Sequence, residues 1–140
     1  MILIVCVDEN GGLMFNQRRQ SQDRVVRADI LQMVGTRRLW MNRYSAGQFQ
    51  QELMEQGCCI SVDEAFLEKA APGDFCFLEN VSAAAAESQI ETLILYKWNK
   101  KYPADFKLDI SLSEGKWTME REEKLQGFSH EEITKEVYRR

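Results

Sequence analysis

The amino-terminal run Ile2–Val7 constrains the fold of this chain more than any other segment. It is a continuous apolar stretch rich in branched side chains, which is typical of a strand buried on both faces of a sheet. The run begins without a positive charge and is followed at once by Asp8 and Glu9. It is far shorter than the roughly 20 residues of a membrane span, so we expect a central strand and neither a signal peptide nor a membrane segment.

After this strand, short apolar runs alternate with segments of helical periodicity. Further strands are predicted at residues 39–41, 58–62, 75–78 and 92–98. Helices are predicted from the cap residue Asp23 to Val34, from an N-cap at Ser45 to Gly57, and over 63–71 and 82–88. The polar stretch 16–22 is expected to be an exposed loop.

The carboxyl-terminal part of the sequence has a different pattern, in which two strand-like segments flank a turn. Residues 117–123 and 133–138 are predicted to be two strands of an antiparallel hairpin, because they flank the turn-like Gly127-Phe128-Ser129-His130. Together the patterns predict an α/β fold with a mostly parallel central sheet, flanking helices and a C-terminal antiparallel hairpin. A length of 140 residues suits a single domain over 1–140.

The charge balance bears on the class of partner. Lys and Arg number 18 and Asp and Glu 22, which gives a net charge of −4. Proteins that bind nucleic acid usually carry a basic excess, so no nucleic-acid partner is expected. With neither a targeting nor a membrane segment predicted, the expected compartment is the cytoplasm.

Cysteine and histidine usage argues against metal and hydrolytic chemistry. The four cysteines form no CxxC pair and are predicted to be reduced, small apolar residues: Cys6, Cys58, Cys59 and Cys76. The single histidine, His130, excludes a His-rich zinc site, and Ser-His-Asp hydrolysis would need His130 itself. We expect His130 on the surface of the hairpin turn and no metal site.

Five segments stand in a fixed order along the chain: residues 2–12, Met41-Asn42-Arg43-Tyr44-Ser45, 61–65, 91–95 and Asp105. In that order they resemble motifs of the dihydrofolate reductase family, among them its first strand and mobile loop and its Met-Gly-Arg-x-Thr segment. The resemblance covers nearly the whole chain and implies a dihydrofolate reductase-like fold. It also implies NADPH as cofactor, if the chain is a reductase.

The residues that carry the family's chemistry match less well. The family's pterin-binding carboxylate on the first helix falls near Val26, which is apolar. Asp29, about one turn further along, flanks the apolar side of the same helix and is the candidate proton donor; the alternative is a boundary carboxylate paired with an arginine. The family's threonine that supports the substrate carboxylate is matched by Tyr96.

The cofactor side departs further. Arg18-Arg19-Gln20-Ser21 stands where the family has a Pro-Trp pair over the nicotinamide, and Glu79-Asn80 replaces its Gly-Gly pair at the diphosphate. Side chains then fill the space, and Glu79 places a negative charge toward a diphosphate, so both features oppose binding. A strand-and-loop unit on the adenine side is also expected to be missing.

One feature of the family's cofactor site is kept. Asn42, Arg43, Tyr44 and Ser45 stand at a predicted helix start, where backbone N–H groups and a guanidinium favour an anion. The resemblance implies that these positions hold cofactor phosphates; the alternative is an ordinary N-cap with a solvated Arg43. Four nearby arginines would either attract an anionic ligand or form a solvated face: Arg18, Arg19, Arg24 and Arg27.

Three functions remain open. The first is a small cytoplasmic protein of dihydrofolate reductase fold that is not a competent reductase and binds a nucleotide or another anionic small molecule at the old cleft. The second is an NAD(P)H-dependent reductase with a rearranged active site, in which Asp29 is the acid and Arg43 and Ser45 bind phosphate. The third is a homo-oligomeric interaction module in which another subunit covers an exposed sheet edge.

Overall fold

The central strand of the computed structural model, which describes residues 1–56 and 59–140, is β1 (Ile2–Val7). It pairs in parallel with β6 (Phe75–Phe77) on one side and with β7 (Thr92–Lys97) on the other. The remaining strands of this sheet are β4 (Leu39–Met41), β5 (Ile60–Val62), β9 (Thr118–Leu125) and β10 (Ile133–Arg139). Their order is β5-β4-β6-β1-β7-β10-β9, and only the β7–β10 and β10–β9 pairs are antiparallel.

The predicted α/β class, with a mostly parallel sheet and a C-terminal antiparallel hairpin, is therefore confirmed. The side chains of β1 alternate between two apolar layers, as the pleat of a strand requires. Leu3, Val5 and Val7 belong to one layer, and Ile4 belongs to the other. Within the described residues no helix has the length and apolar character needed to cross a bilayer.

Helix α1 (Arg24–Val34) forms as predicted. The Asp23 side chain accepts a hydrogen bond from the Val25 N–H, and Gly35 ends the helix with a positive φ of 60°. The helix buries its apolar side against the sheet: Val26, Ile30, Leu31 and Val34. Val26 is thus a core residue and offers no polar atom to a ligand.

The predicted N-cap at Ser45 is wrong. Asn42 caps α2 (Arg43–Gln48), because its side chain accepts from the Ser45 N–H, and Ser45 lies buried inside the helix. A second helix, α3 (Gln50–Gln56), continues the segment. The predicted helix end at Gly57 and strand start at Cys58 lie outside the described residues.

The later helices are shorter than predicted. The segment 63–71 forms only one helical turn, α4 (Phe66–Lys69), because Asp63 and Ala65 stay in a turn closed by the Asp63 side chain. Residues Ala84–Gln89 form a 3-10 helix.

A second, three-stranded sheet was not predicted. It consists of β2 (Gly12–Phe15), β3 (Arg18–Arg19) and β8 (Phe106–Lys107), so the expected loop 16–22 contains a strand. Asn16 and Gln17 join β2 to β3 with φ of 52° and 63°, the backbone of a type I′ hairpin turn. Two-residue strands made of arginines carry no apolar alternation that sequence inspection detects.

Phe49 packs in the core on the α1 side of the sheet, and its replacement tests the contribution of that packing. Phe49 is fully buried, and its ring meets the ring of Phe77 edge-on, with centroids 5.3 Å apart. We expect Phe49→Ala to lower the free energy of unfolding by about 3–5 kcal/mol, because it leaves a cavity. Phe15, which is half exposed, is the control: Phe15→Ala should cost about 1 kcal/mol or less. Equal losses in urea denaturation would contradict this account of the core.

Candidate functional site

The candidate site lies where parallel strands end. Asn42 follows β4 directly, and Glu79 and Asn80 come shortly after β6. The Asn42 Nδ2 donates to Asn80 Oδ1 over 2.7 Å and ties the two strand ends together. The carboxyl edge of a parallel sheet is the usual position of ligand sites in α/β folds.

A buried carboxylate, that of Glu79, stands at the centre of this edge. Arg19 holds it with two hydrogen bonds, from Nε at 2.9 Å and from Nη2 at 3.2 Å. Ser45 Oγ donates to it at 2.8 Å and Gln48 Nε2 at 3.0 Å. The carboxylate therefore has four donors from three side chains, which is the kind of cradle that binds an anion.

Arg19 is itself held in place. Its guanidinium lies over the ring of Tyr44, 4.5 Å from the centroid, and its backbone N–H donates to the Tyr44 hydroxyl at 2.8 Å. Burial alone would lower the pKa of the guanidinium, but the hydrogen bonds and charge of Glu79 raise it above its usual value. Arg19 and Glu79 thus form a fixed, charge-balanced pair.

The predicted anion site at Asn42–Ser45 is occupied by the chain's own groups. The Arg43 N–H donates to Glu64 Oε2 at 2.8 Å, the Ser45 N–H to the Asn42 side chain at 3.1 Å, and the Ser45 hydroxyl to Glu79. Among the described residues, the Arg43 side chain is exposed and has no ion-pair partner. Two carboxylates stand where the resemblance implies phosphates.

Two of the four arginines near α1 are paired with a carboxylate. Arg27 pairs with Glu52, and Arg24 stacks on the Phe128 ring at 3.6 Å from its centroid. Arg19 is bound to Glu79. Arg18 is exposed, and within the described part of the chain it makes neither an ion pair nor a contact with an aromatic ring. The expected positive patch is therefore a set of separate contacts.

Asp29 makes a second polar cluster on the same face of the sheet as Cys6. The Tyr96 hydroxyl donates to Asp29 Oδ2 at 2.5 Å, and Lys135 Nζ lies 2.9 Å from the same oxygen. Asp29, the candidate proton donor, and Tyr96, which matches the family's threonine, are thus in contact. The partner of Asp29 is a lysine from β10 rather than the arginine expected in the alternative, and burial followed by contact with Asp29 raises the pKa of Tyr96.

Two thiols of the central sheet, those of Cys6 and Cys76, are poor nucleophiles. Burial is the main cause of the raised pKa of Cys6. Burial also raises the pKa of Cys76, to about 12. Cys6 pairs in register with Tyr96 and is close enough to Glu79 for its charge to contribute. Over residues 1–56 and 59–140, no three His, Cys, Asp or Glu side chains are arranged to hold a metal ion.

His130 is not the surface residue that was predicted. It is buried, and its Nδ1 lies 2.8 Å from Asp23 Oδ2. Asp23 also accepts from the backbone N–H groups of Val25, Phe128 and Ser129, each at 2.9 Å. Burial alone would raise the pKa of the Asp23 carboxyl, but these hydrogen bonds outweigh it and hold the pKa well below the usual value.

Comparisons with known proteins do not assign the chain. No protein-family model matches the sequence, and no curated protein matches it either.

The lowered pKa of Asp23 predicts how stability depends on pH. A carboxyl with a depressed folded-state pKa stabilises the fold above its ordinary pKa of 3.8, and this contribution is lost as the pH falls further. We expect Asp23→Asn to lose about 2–3 kcal/mol of unfolding free energy at neutral pH. The loss should shrink as the pH falls below 3.8, as measured by urea denaturation across pH.

Asp105, an exposed carboxylate that accepts only the Asn16 N–H in the described structure, is the matched control. Asp105→Asn should change stability by less than about 1 kcal/mol at every pH. A pH-independent loss for Asp23→Asn would mean that the charge of Asp23 contributes nothing.

Proposed function

We propose that this chain is a cytoplasmic protein of dihydrofolate reductase fold that is not a reductase and binds a small anionic molecule at the carboxyl edge of its sheet. The observation that carries this proposal is the four-donor cradle on Glu79. A guanidinium, a hydroxyl and an amide converge on one carboxylate, and the same donors suit a ligand phosphate or carboxylate. An external anion binds by displacing the Glu79 carboxylate.

The same cradle opposes dinucleotide binding. A diphosphate at this edge would meet the Glu79 charge, and Ser45 has its hydroxyl already engaged. Displacing Glu79 leaves a buried carboxylate without its partner, which typically costs several kcal/mol unless the side chain reaches solvent. An internal competitor lowers the apparent affinity for every ligand that needs the same donors, so only a compact anion is expected to bind.

Removing the internal competitor tests the proposal. Glu79→Ala should bind inorganic phosphate at least roughly tenfold more tightly than the natural chain, because Arg19, Ser45 and Gln48 lose their own anion. Isothermal titration calorimetry measures both affinities. Glu64→Ala makes the same change in net charge but leaves the Arg19–Glu79 pair intact, so it should show no gain.

The double variant Arg19→Ala, Glu79→Ala should lose the gain, which would locate the anion on Arg19. If Glu79→Ala stays folded by circular dichroism and binds phosphate no better than the natural chain, the cradle is not an anion receptor. The proposal is then wrong.

The second candidate is the NADPH-dependent reductase, and the contact between Tyr96 and Asp29 favours it. Asp29, the candidate proton donor on the first helix, accepts a hydrogen bond there from the hydroxyl of Tyr96, the β7 residue that matches the family's threonine. Lys135, however, already neutralises the negative charge of Asp29. A reductase would need that lysine to leave or to take part in substrate binding.

Titration of NADPH into the natural chain separates the two candidates. We expect no heat of binding at roughly millimolar NADPH, because the negative charge of Glu79 would repel the diphosphate of the cofactor. Low-micromolar binding that Arg43→Ala weakens at least roughly tenfold would favour the reductase instead. Turnover of dihydrofolate with NADPH would then be the next measurement.

Self-association is a further partner hypothesis. β5 is an edge strand of only three residues with Val62 half exposed, whereas the other edge, β9, is rich in charged side chains that protect it. The β5 edge is thus where a second copy of the chain would pair. Homo-oligomerisation stays a prediction.

A further inference from the structure

Ser21, His130 and Asp23 form a continuous line of hydrogen bonds outside the Glu79 cradle. Ser21 Oγ lies 2.8 Å from His130 Nε2, and His130 Nδ1 lies 2.8 Å from Asp23 Oδ2. Ser21 comes from the segment between β3 and α1, Asp23 caps α1, and His130 comes from the loop between β9 and β10. The three residues are brought together only by the fold.

The hydrogen-bond network assigns the protons. The Asp23 carboxylate receives three backbone N–H groups and can only accept, so His130 Nδ1 carries a hydrogen. In the neutral imidazole the other nitrogen, Nε2, is then an acceptor. In that neutral form the Ser21 hydroxyl donates a hydrogen bond to Nε2, the arrangement from which a histidine takes a proton from a serine nucleophile.

The histidine and the carboxylate are held rigidly. The His130 ring stacks on Trp98 with centroids 4.6 Å apart and an interplanar angle of 24°. A Cβ at Gly127 would lie 2.7 Å from Asp23 Oδ2 and 2.7 Å from the His130 carbonyl oxygen, so only glycine fits there. A general base whose ring and partner cannot move is organised in advance for proton transfer.

The exposed fractions of the three side chains suit a nucleophile that a substrate can reach and two partners that are shielded from water. The side chains of Asp23 and His130 are 0% and 5% exposed, while Ser21 is half buried and reaches the surface. Ser129 is the other hydroxyl near this histidine, 3.3 Å from Nδ1. The Ser129 hydroxyl instead donates to Asp23 Oδ2 at 3.2 Å, because Nδ1 already donates to Asp23 and cannot accept its proton.

We propose that Ser21 is a nucleophile for acyl transfer, with His130 as general base and Asp23 as the group that orients it. Ser21 Oγ attacks the carbonyl carbon of an ester while its proton passes to His130 Nε2. The bond to the alcohol breaks, and the alcohol leaves with that proton. Water, deprotonated by His130 in turn, then attacks the acyl-Ser21 ester and releases the acid, so one ester and one water give one acid and one alcohol.

A neighbouring cavity indicates the class of ester. Gln20, immediately before Ser21, lines a cavity of about 310 Å³ together with the exposed Arg18 and the ring of Tyr102. A positive charge and an aromatic residue at this cavity favour a small ester that carries a negative charge.

A fluorophosphonate probe tests the nucleophile directly, since an activated serine displaces fluoride from its phosphorus. We expect the natural chain to be labelled on Ser21, as located by mass spectrometry of peptides, and the heat-unfolded chain not to be labelled. His130→Gln should slow labelling at least roughly 100-fold. Ser111→Ala removes an exposed serine whose hydroxyl hydrogen-bonds only to Ser113 among the described residues, and it should be labelled within about threefold of the natural rate.

A folded natural chain that is not labelled on Ser21, or that is labelled only at another residue, would overturn the proposal. The same holds if His130→Gln keeps its fold by circular dichroism and reacts as fast as the natural chain. Because the natural chain alone decides the first outcome, the test does not depend on any variant folding. It is also independent of the anion cradle, since Ser21 and His130 make none of the bonds to Glu79.

Discussion

The buried charge of Glu79 is the constraint around which the carboxyl edge of the sheet is built. A carboxylate taken out of water is costly unless donors replace its hydration, and here Arg19 supplies two of them. That requirement positions three elements at once: β3 through Arg19, α2 through Ser45 and Gln48, and the end of β6 through Glu79 itself. The small second sheet is thereby joined to the large one.

The other two polar clusters follow the same rule with different partners. Asp29 meets a tyrosine hydroxyl and a buried lysine, and Asp23 meets backbone N–H groups and a histidine. Asp29 lies on α1 and Asp23 is its N-cap. Each of these two carboxylates binds a segment that is distant in sequence, so α1 is held at two points. Internal charges thus organise the polar edge of the sheet and the two contacts that hold α1.

Sequence patterns were sufficient for the sheet and insufficient for its polar edge. Apolar runs such as Ile2–Val7 revealed the large sheet because burial on both faces leaves an unbroken hydrophobic signal. The strand β3 left no such signal, since its two arginines serve a buried carboxylate rather than a core. Asn and Ser both cap helices, so the sequence does not distinguish Asn42 from Ser45 as the N-cap, and the bond from the Ser45 N–H to the Asn42 side chain decides it.

By itself, the sequence determined the α/β class, the central position of β1 and the capping of α1 by Asp23, because each depends on local periodicity or on a neighbour two residues away. The resemblance to dihydrofolate reductases, and no local pattern, singled out the charge of Glu79. Only the tertiary structure decided that Arg19 neutralises that charge across 60 residues and that His130 joins Asp23 across 107. Such pairs form between loops whose approach is set by the packing of the whole sheet, and no local pattern encodes them.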